Sequence, residues 1–264
     1  MEPVNPYAAP QAAGADAAAV AAEQPLSLLA ALNSGTWLYV RRFPTWAAMT
    51  LVLWGPLEVL LAYQEYFVAD PDNPFEAYFS QVLADALFGI IAIGGTIGVG
   101  EAALRGERRG WLAGLGDGLR AWPHVFSSRF VGGLTLVLAA MLFLLPALYL
   151  GVRYALSDSV AVLERRGGMK AIGRSMELTG VRFLILLGLC LATVVPIVAA
   201  SVFIFFPLGF YPQYDHWLLS AALSFVLDLL TPWMTLVFVA AYVQRRDEQR
   251  RETQPVPAAL AADT

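Results

Sequence analysis

Four runs in this chain are long and apolar enough to cross a hydrocarbon core, which takes about 20 residues of helix. They are Trp46–Tyr66, Val82–Leu104, Phe183–Phe206 and Trp217–Val243. Composition agrees. Hydrophobic residues make up 58% of the chain and charged residues 14%, where a soluble domain carries about 25% charge. So few charges cannot cover a water-exposed surface of this size. The expected fold is all-α, a polytopic membrane helical bundle.

A fifth apolar region, Phe130–Leu163, is too long for one straight span. Pro146 lies near its centre, and Arg153 and Asp158 interrupt its second half. The distribution of Lys and Arg, which stay on the cytoplasmic side, shows how to treat it. Arg41 and Arg42 precede the first run. The connection Gln64–Ser80 carries Glu65, Asp70, Asp72 and Glu76 without a basic residue. Arg105, Arg108, Arg109, Arg120 and Arg129 lie before the fifth region, and Arg165, Arg166, Lys170, Arg174 and Arg182 after it. Pro207–His216 carries no basic residue, while Arg245, Arg246, Arg250 and Arg251 follow the last run. Both flanks of 130–163 are therefore basic, and the chain must enter and return. The expected hairpin has arms Phe130–Leu145 and Ala147–Leu163, turning near Pro146. Each arm is about 25 Å long at 1.5 Å per residue, slightly short for a ~30 Å core. It either spans with local thinning or is re-entrant and packed against other helices. The expectation is about six transmembrane helices, the third and fourth short, with both termini in the cytoplasm of a bacterial inner membrane. Residues 1–25 read as a disordered Ala/Pro-rich tail, 26–244 as the membrane domain and 245–264 as a disordered cytoplasmic tail. The first forty residues lack Lys and Arg, so the basic start of a secretory signal is missing.

Three times an amphipathic segment and basic residues precede an apolar hairpin. The segments are Leu26–Val40, Trp111–Trp122 and Met169–Thr179. In the third, Met169, Ile172 and Met176 recur at helical spacing, away from Lys170, Arg174 and Glu177. Three cytoplasmic interfacial helices are expected, with apolar faces in the headgroup boundary and basic faces toward anionic lipid. Trp37, Trp46, Trp111 and Trp122 suit that depth.

The stretch from Leu163-Glu164 through Arg174-Ser175-Met176-Glu177-Leu178-Thr179-Gly180 resembles a signature of a bacterial multi-pass membrane family. That family includes the membrane domain attached to some glycerophosphodiester phosphodiesterases. The resemblance spans about residues 26–245 and implies a membrane bundle without catalytic residues of its own. On the residues alone, Glu164, Arg174, Ser175, Thr179 and Gly180 read as a helix–turn–helix. Gly167 and Gly168 break the preceding helix, the two hydroxyls bond to carbonyls one turn back, and Gly180 frees the turn into the next span.

Glu58, Arg153, Asp158 and Asp228 lie inside the expected spans. Such residues are expensive in hydrocarbon and are usually paired or face water. Glu58 or Asp228 is expected to pair with Arg153. Gly94-Gly95-Thr96-Ile97-Gly98 lets helices approach closely, within the chain or between copies. Gly114-Leu115-Gly116-Asp117 and Tyr214-Asp215 look like the motifs of intramembrane aspartyl proteases. That chemistry needs two facing carboxylates, and here they fall on opposite sides of the bilayer. His124, His216 and Cys190 are too scattered for a metal site. No catalytic residue, cofactor or nucleic-acid partner is expected. The expected partners are the bilayer, anionic lipid at the cytoplasmic face, and another copy or another membrane protein. The expected role is a non-enzymatic scaffold or lipid-interaction module, with a small-molecule or lipid-related transporter as the alternative.

Overall fold

The computed structural model describes residues 26–69, 73–210 and 216–253, and among these there is helix but no strand. The chain is a polytopic helical bundle with five helices long and apolar enough to cross a membrane. The expected tail at 1–25 and the Tyr214-Asp215 pair lie outside the described residues.

Helix α1 (Leu28–Arg41) opens on Ser27, whose Oγ accepts from the Ala30 amide at 3.1 Å and satisfies one orphan donor of the first turn. An elbow at Arg42 leads into α2 (Phe43–Phe67), with a proline in its first turn, where the missing N–H costs nothing. Next come α3 (Pro74–Ala84), a π-helical turn at Asp85–Gly89, and α4 (Ile90–Leu104) as one continuous rod. Helix α5 (Trp111–Leu142) runs back along it. The return arm is α6 (Leu144–Tyr154) and α7 (Ser157–Leu163); α8 (Gly168–Gly180), α9 (Phe183–Phe210), α10 (Trp217–Asp228) and α11 (Thr231–Thr253) complete the chain.

Two glycine seams hold the bundle. A Cβ at Gly95 would stand 2.7 Å from the Gly114 carbonyl oxygen, and one at Gly94 3.0 Å from Gly118 Cα. The small-residue run of α4 thus packs on a helix of the same chain. Met49 of α2 closes this seam, buried between Gly95 and Gly114. At the second seam Gly35 lets α1 lie against Val237 of α11. Contacts this close maximise dispersion where the hydrophobic effect is absent.

The connections sort to two ends as their charges require. At the basic end Arg42 donates to the Glu107 carbonyl at 3.0 Å, Arg246 pairs with Glu101 at 3.1 Å, and Arg182 pairs with Glu248. At the acidic end Gln64 bonds Ser80 at 2.6 Å, and Trp217 meets the rings of Tyr63 and Phe67.

Several expectations need correction. The segment Trp111–Trp122 is not a separate interfacial helix but the first third of α5, bound to α4 along the glycine seam. Trp46 is buried, donating to the Leu38 carbonyl rather than sitting at a headgroup boundary. The last helix continues to Thr253, so 245–253 is ordered helix; 254–264 lies outside the described residues. Arg245 explains this: it is buried and donates to the Leu178 carbonyl at 3.2 Å and to Glu248 at 2.9 Å.

The hairpin turns at Phe143 rather than Pro146. Phe143 is extended (φ −161°, ψ 148°), while Pro146 sits in the first turn of α6, where proline is tolerated. The return arm is two short helices broken near Ala155, and neither is long enough to cross. The Tyr149 ring packs at a tilt on Phe183, the first residue of α9, with centroids 5.2 Å apart. From Tyr149 the arm runs about five residues, roughly 8 Å, to the turn. The five side chains Met141–Leu145 at the tip are 69–80% exposed and include no polar group.

Candidate functional site

The four residues expected inside the membrane do not form one cluster. Arg153 pairs with neither Glu58 nor Asp228. It sits where α6 meets the end of α8, its guanidinium 5.7 Å from the Tyr149 ring centre and packed against Gly180. Ser175 Oγ donates to the Arg153 carbonyl at 2.8 Å, and Thr179 Oγ1 reaches the same oxygen at 3.3 Å. Arg153 thus lies at the basic end. The expected pairing assumed a shared depth, whereas Arg153 is held against the end of α8, apart from Glu58 and Asp228.

Asp158 takes a different partner from the expected set. Arg129 Nη2 approaches its Oδ2 at 2.7 Å and Nε at 3.1 Å, tying the roots of the two hairpin arms. This is a fork-shaped, charge-assisted contact, and the Arg129 side chain is 40% exposed. Arg129→Met should therefore cost about 1–2 kcal/mol, between the values of surface and buried pairs. Arg129→Met/Asp158→Leu should recover most of that loss in a double-mutant thermal-unfolding cycle. Equal losses in the double and single variants would show that the pair contributes nothing.

Glu58 and Asp228 do meet. Helix α10 lies against the acidic half of α2, placing Glu58 within hydrogen-bonding reach of both Asp228 and Ser224, with Asp85 nearby. Glu58 is buried, and Asp228 Oδ2 is buried without a donor. A carboxyl–carboxyl contact is attractive only with a proton between the two. Two of these acids sit at backbone irregularities: Asp85 opens the π-helical turn, and Asp228 ends α10 at the break before Thr231 and Pro232. Asp85 and Arg129 were missed from sequence. Asp85 was legible as a carboxylate inside Val82–Leu104; Arg129 stood one residue outside its expected arm.

The signature residues converge on the basic end. Glu164 accepts from Tyr242 Oη at 3.0 Å and pairs with Arg166 at 3.0 Å and Arg174 at 3.4 Å. Arg174 also reaches Glu177 at 3.0 Å and Gln249 at 2.8 Å. Thr179 bonds the Ser175 carbonyl one turn back at 2.7 Å, as read, whereas Ser175 bonds across to α6. The signature is thus a clasp joining α6, α7, α8 and α11. Ser175→Ala/Thr179→Val removes the Ser175 donor to the Arg153 carbonyl and the Thr179 donor to the Ser175 carbonyl. It should cost about 2–3 kcal/mol, seen as a lower unfolding midpoint; an unchanged midpoint would dismiss the clasp.

Between α5 and the start of α8 lies an open hollow of about 800 Å3, lined by His124, Arg165, Arg166, Gly167, Met169 and Lys170. Positive charge is concentrated at this end of the molecule. Partial burial, then Arg108 and Arg41, lower the Arg42 guanidinium from its ordinary value. Asp117 of the protease-like motif is instead occupied by Arg109 at 2.7 Å. Among the described residues no group of His, Cys, Asp and Glu is arranged to hold a metal.

A scan against protein-family models, a search of curated proteins and a search of solved structures each find no match to this chain.

Proposed function

We propose that this chain is a non-enzymatic lipid-interaction module of a bacterial inner membrane, with its basic end and both termini in the cytoplasm. The α5–α6 hairpin is a wedge dipping into the inner leaflet. From Arg153 to Leu144 the arm covers about 14 Å at 1.5 Å per residue, roughly half of a ~30 Å core. The observation that carries this reading is the tip itself, five consecutive exposed apolar side chains without a polar cap. Lysines and arginines at the base of the wedge complement anionic headgroups. Resemblance of the clasp to a family of catalytically silent membrane domains agrees with this role.

The test is the lipid retained by the full chain purified in mild detergent, measured by mass spectrometry. Enrichment of anionic phospholipid over the bulk membrane supports the reading; retained lipid of bulk composition refutes it.

A second reading, a proton-linked transporter, draws on one observation: Glu58, Asp85 and Asp228 gather at a π-helical turn and a helix break. Transporter sites use interrupted helices, and π-turns recur at functional sites. Proton uptake into proteoliposomes that is lost in Glu58→Gln would favour it.

A further inference from the structure

We infer that the hollow between α5 and α8 is a binding site for a phosphate monoester dianion. Of the cations lining it, Arg166 is paired with Glu164 at 3.0 Å, whereas Arg165 and Lys170 form no ion pair among the described residues. Two uncompensated cations remain, matching the two charges of a phosphate monoester and exceeding the single charge of a phosphodiester. Guanidinium binds phosphate oxygens bidentately, and a lysine ammonium adds a mobile point charge. His124 supplies a ring nitrogen on the opposite wall.

The chain holds this arrangement at some expense. Arg165 adopts φ +52°, a left-handed conformation that costs a non-glycine residue about 1 kcal/mol. Gly167 lets the loop close on α5, where a Cβ would stand 2.5 Å from Ser127 Oγ. Glycine at 165 would relieve the strain, so an arginine there points to a use for its side chain. The volume, about 800 Å3, exceeds a phosphate ion and leaves room for a glycerol backbone. Met169, 68% exposed, gives an apolar exit for acyl chains. The phosphate can come from a lipid headgroup such as phosphatidic acid or from the free ion.

This inference rests on the lipid-module reading only for its lipid source, and the experiment separates the two. The full chain in dodecyl maltoside is titrated calorimetrically with inorganic phosphate, dihexanoyl phosphatidic acid and dihexanoyl phosphatidylglycerol. Wild type is compared with Arg165→Gly/Lys170→Gln and with the charge-matched control Arg108→Gln/Arg250→Gln, whose residues do not line the hollow. Arg165→Gly suits its backbone, so the test variant is expected to fold; its elution profile and unfolding midpoint confirm this.

The expected result is a loss of at least about tenfold in affinity in the test variant and under twofold in the control. Loss toward both phosphate and phosphatidic acid supports a site for the shared group. Loss toward phosphatidic acid alone supports the lipid source, and loss toward phosphate alone the free ion. Equal losses in the two double variants, or phosphatidylglycerol bound as tightly as phosphatidic acid, overturn the inference. Retention of anionic lipid with an unaffected hollow would sink this inference and leave the module reading standing.

Discussion

Gly118→Ala is expected to destabilise the full chain by about 2–3 kcal/mol, while Gly116→Ala, two residues away, is expected to stabilise it by about 0.5–1 kcal/mol. Both positions are in α5, and alanine is the better helix former at each. The difference lies in what a methyl group meets. At Gly116 there is nothing within 4 Å. At Gly118 the methyl would enter the carbonyl oxygen of Ile91 and stand 3.0 Å from the Gly95 amide nitrogen. These are backbone atoms of α4 and cannot swing aside as a side chain would. The helices must separate, opening the seam that Met49 closes. Against a total stability of about 5–15 kcal/mol, this is enough to reduce accumulation. Unfolding midpoints in detergent check it: a fall for Gly118→Ala and a rise for Gly116→Ala. Similar midpoints for the two would mean that the seam is not closed.

The second large effect belongs to the wedge. Leu144→Asp should cost about 2.5–3.5 kcal/mol, the penalty for an aspartate held in hydrocarbon. Val68→Asp, at an exposed position of the acidic end, should cost under about 0.5 kcal/mol. Aspartate is the better choice over lysine, because its short side chain cannot snorkel to water. A hairpin that crossed would carry residue 144 into water and make both substitutions silent. Unfolding in nanodiscs, together with the level of each variant in membranes, reads the difference.

The sequence made legible whatever depends on long windows of composition. The four plain runs are spans by length and apolarity, with ends displaced by a few residues. The alternation of basic and acidic connections corresponds to loops that touch one another, Arg42 with Glu107 and Gln64 with Ser80. Reading proline as a breaker places the turn at Pro146. Pro146 starts a helix, and the break falls at Phe143, which has no local signal for it. The pairing of Arg153 with an acid followed from a depth calculated for a full crossing. Tyr149 instead packs on Phe183, and such a contact between positions 34 residues apart leaves no mark in one sequence. The Glu58–Asp228 contact depends on how α10 packs on α2, whereas Asp85 could have been counted directly. The clasp was partly legible: hydroxyl-to-carbonyl bonding fits Thr179, but the cross-helix partner of Ser175 required the fold.

The claim on which this account turns is that residue 143 lies within one leaflet. In a Cys190→Ala background, single cysteines at Phe143, Val68 and Met169 are exposed to a membrane-impermeant maleimide in intact and in permeabilised cells. Maleimide needs a hydrated thiolate. Labelling is expected at position 68 in intact cells, at position 169 only after permeabilisation, and at position 143 in neither until the bilayer is dissolved. Labelling of position 143 in intact cells, at a rate like that of position 68, would contradict it.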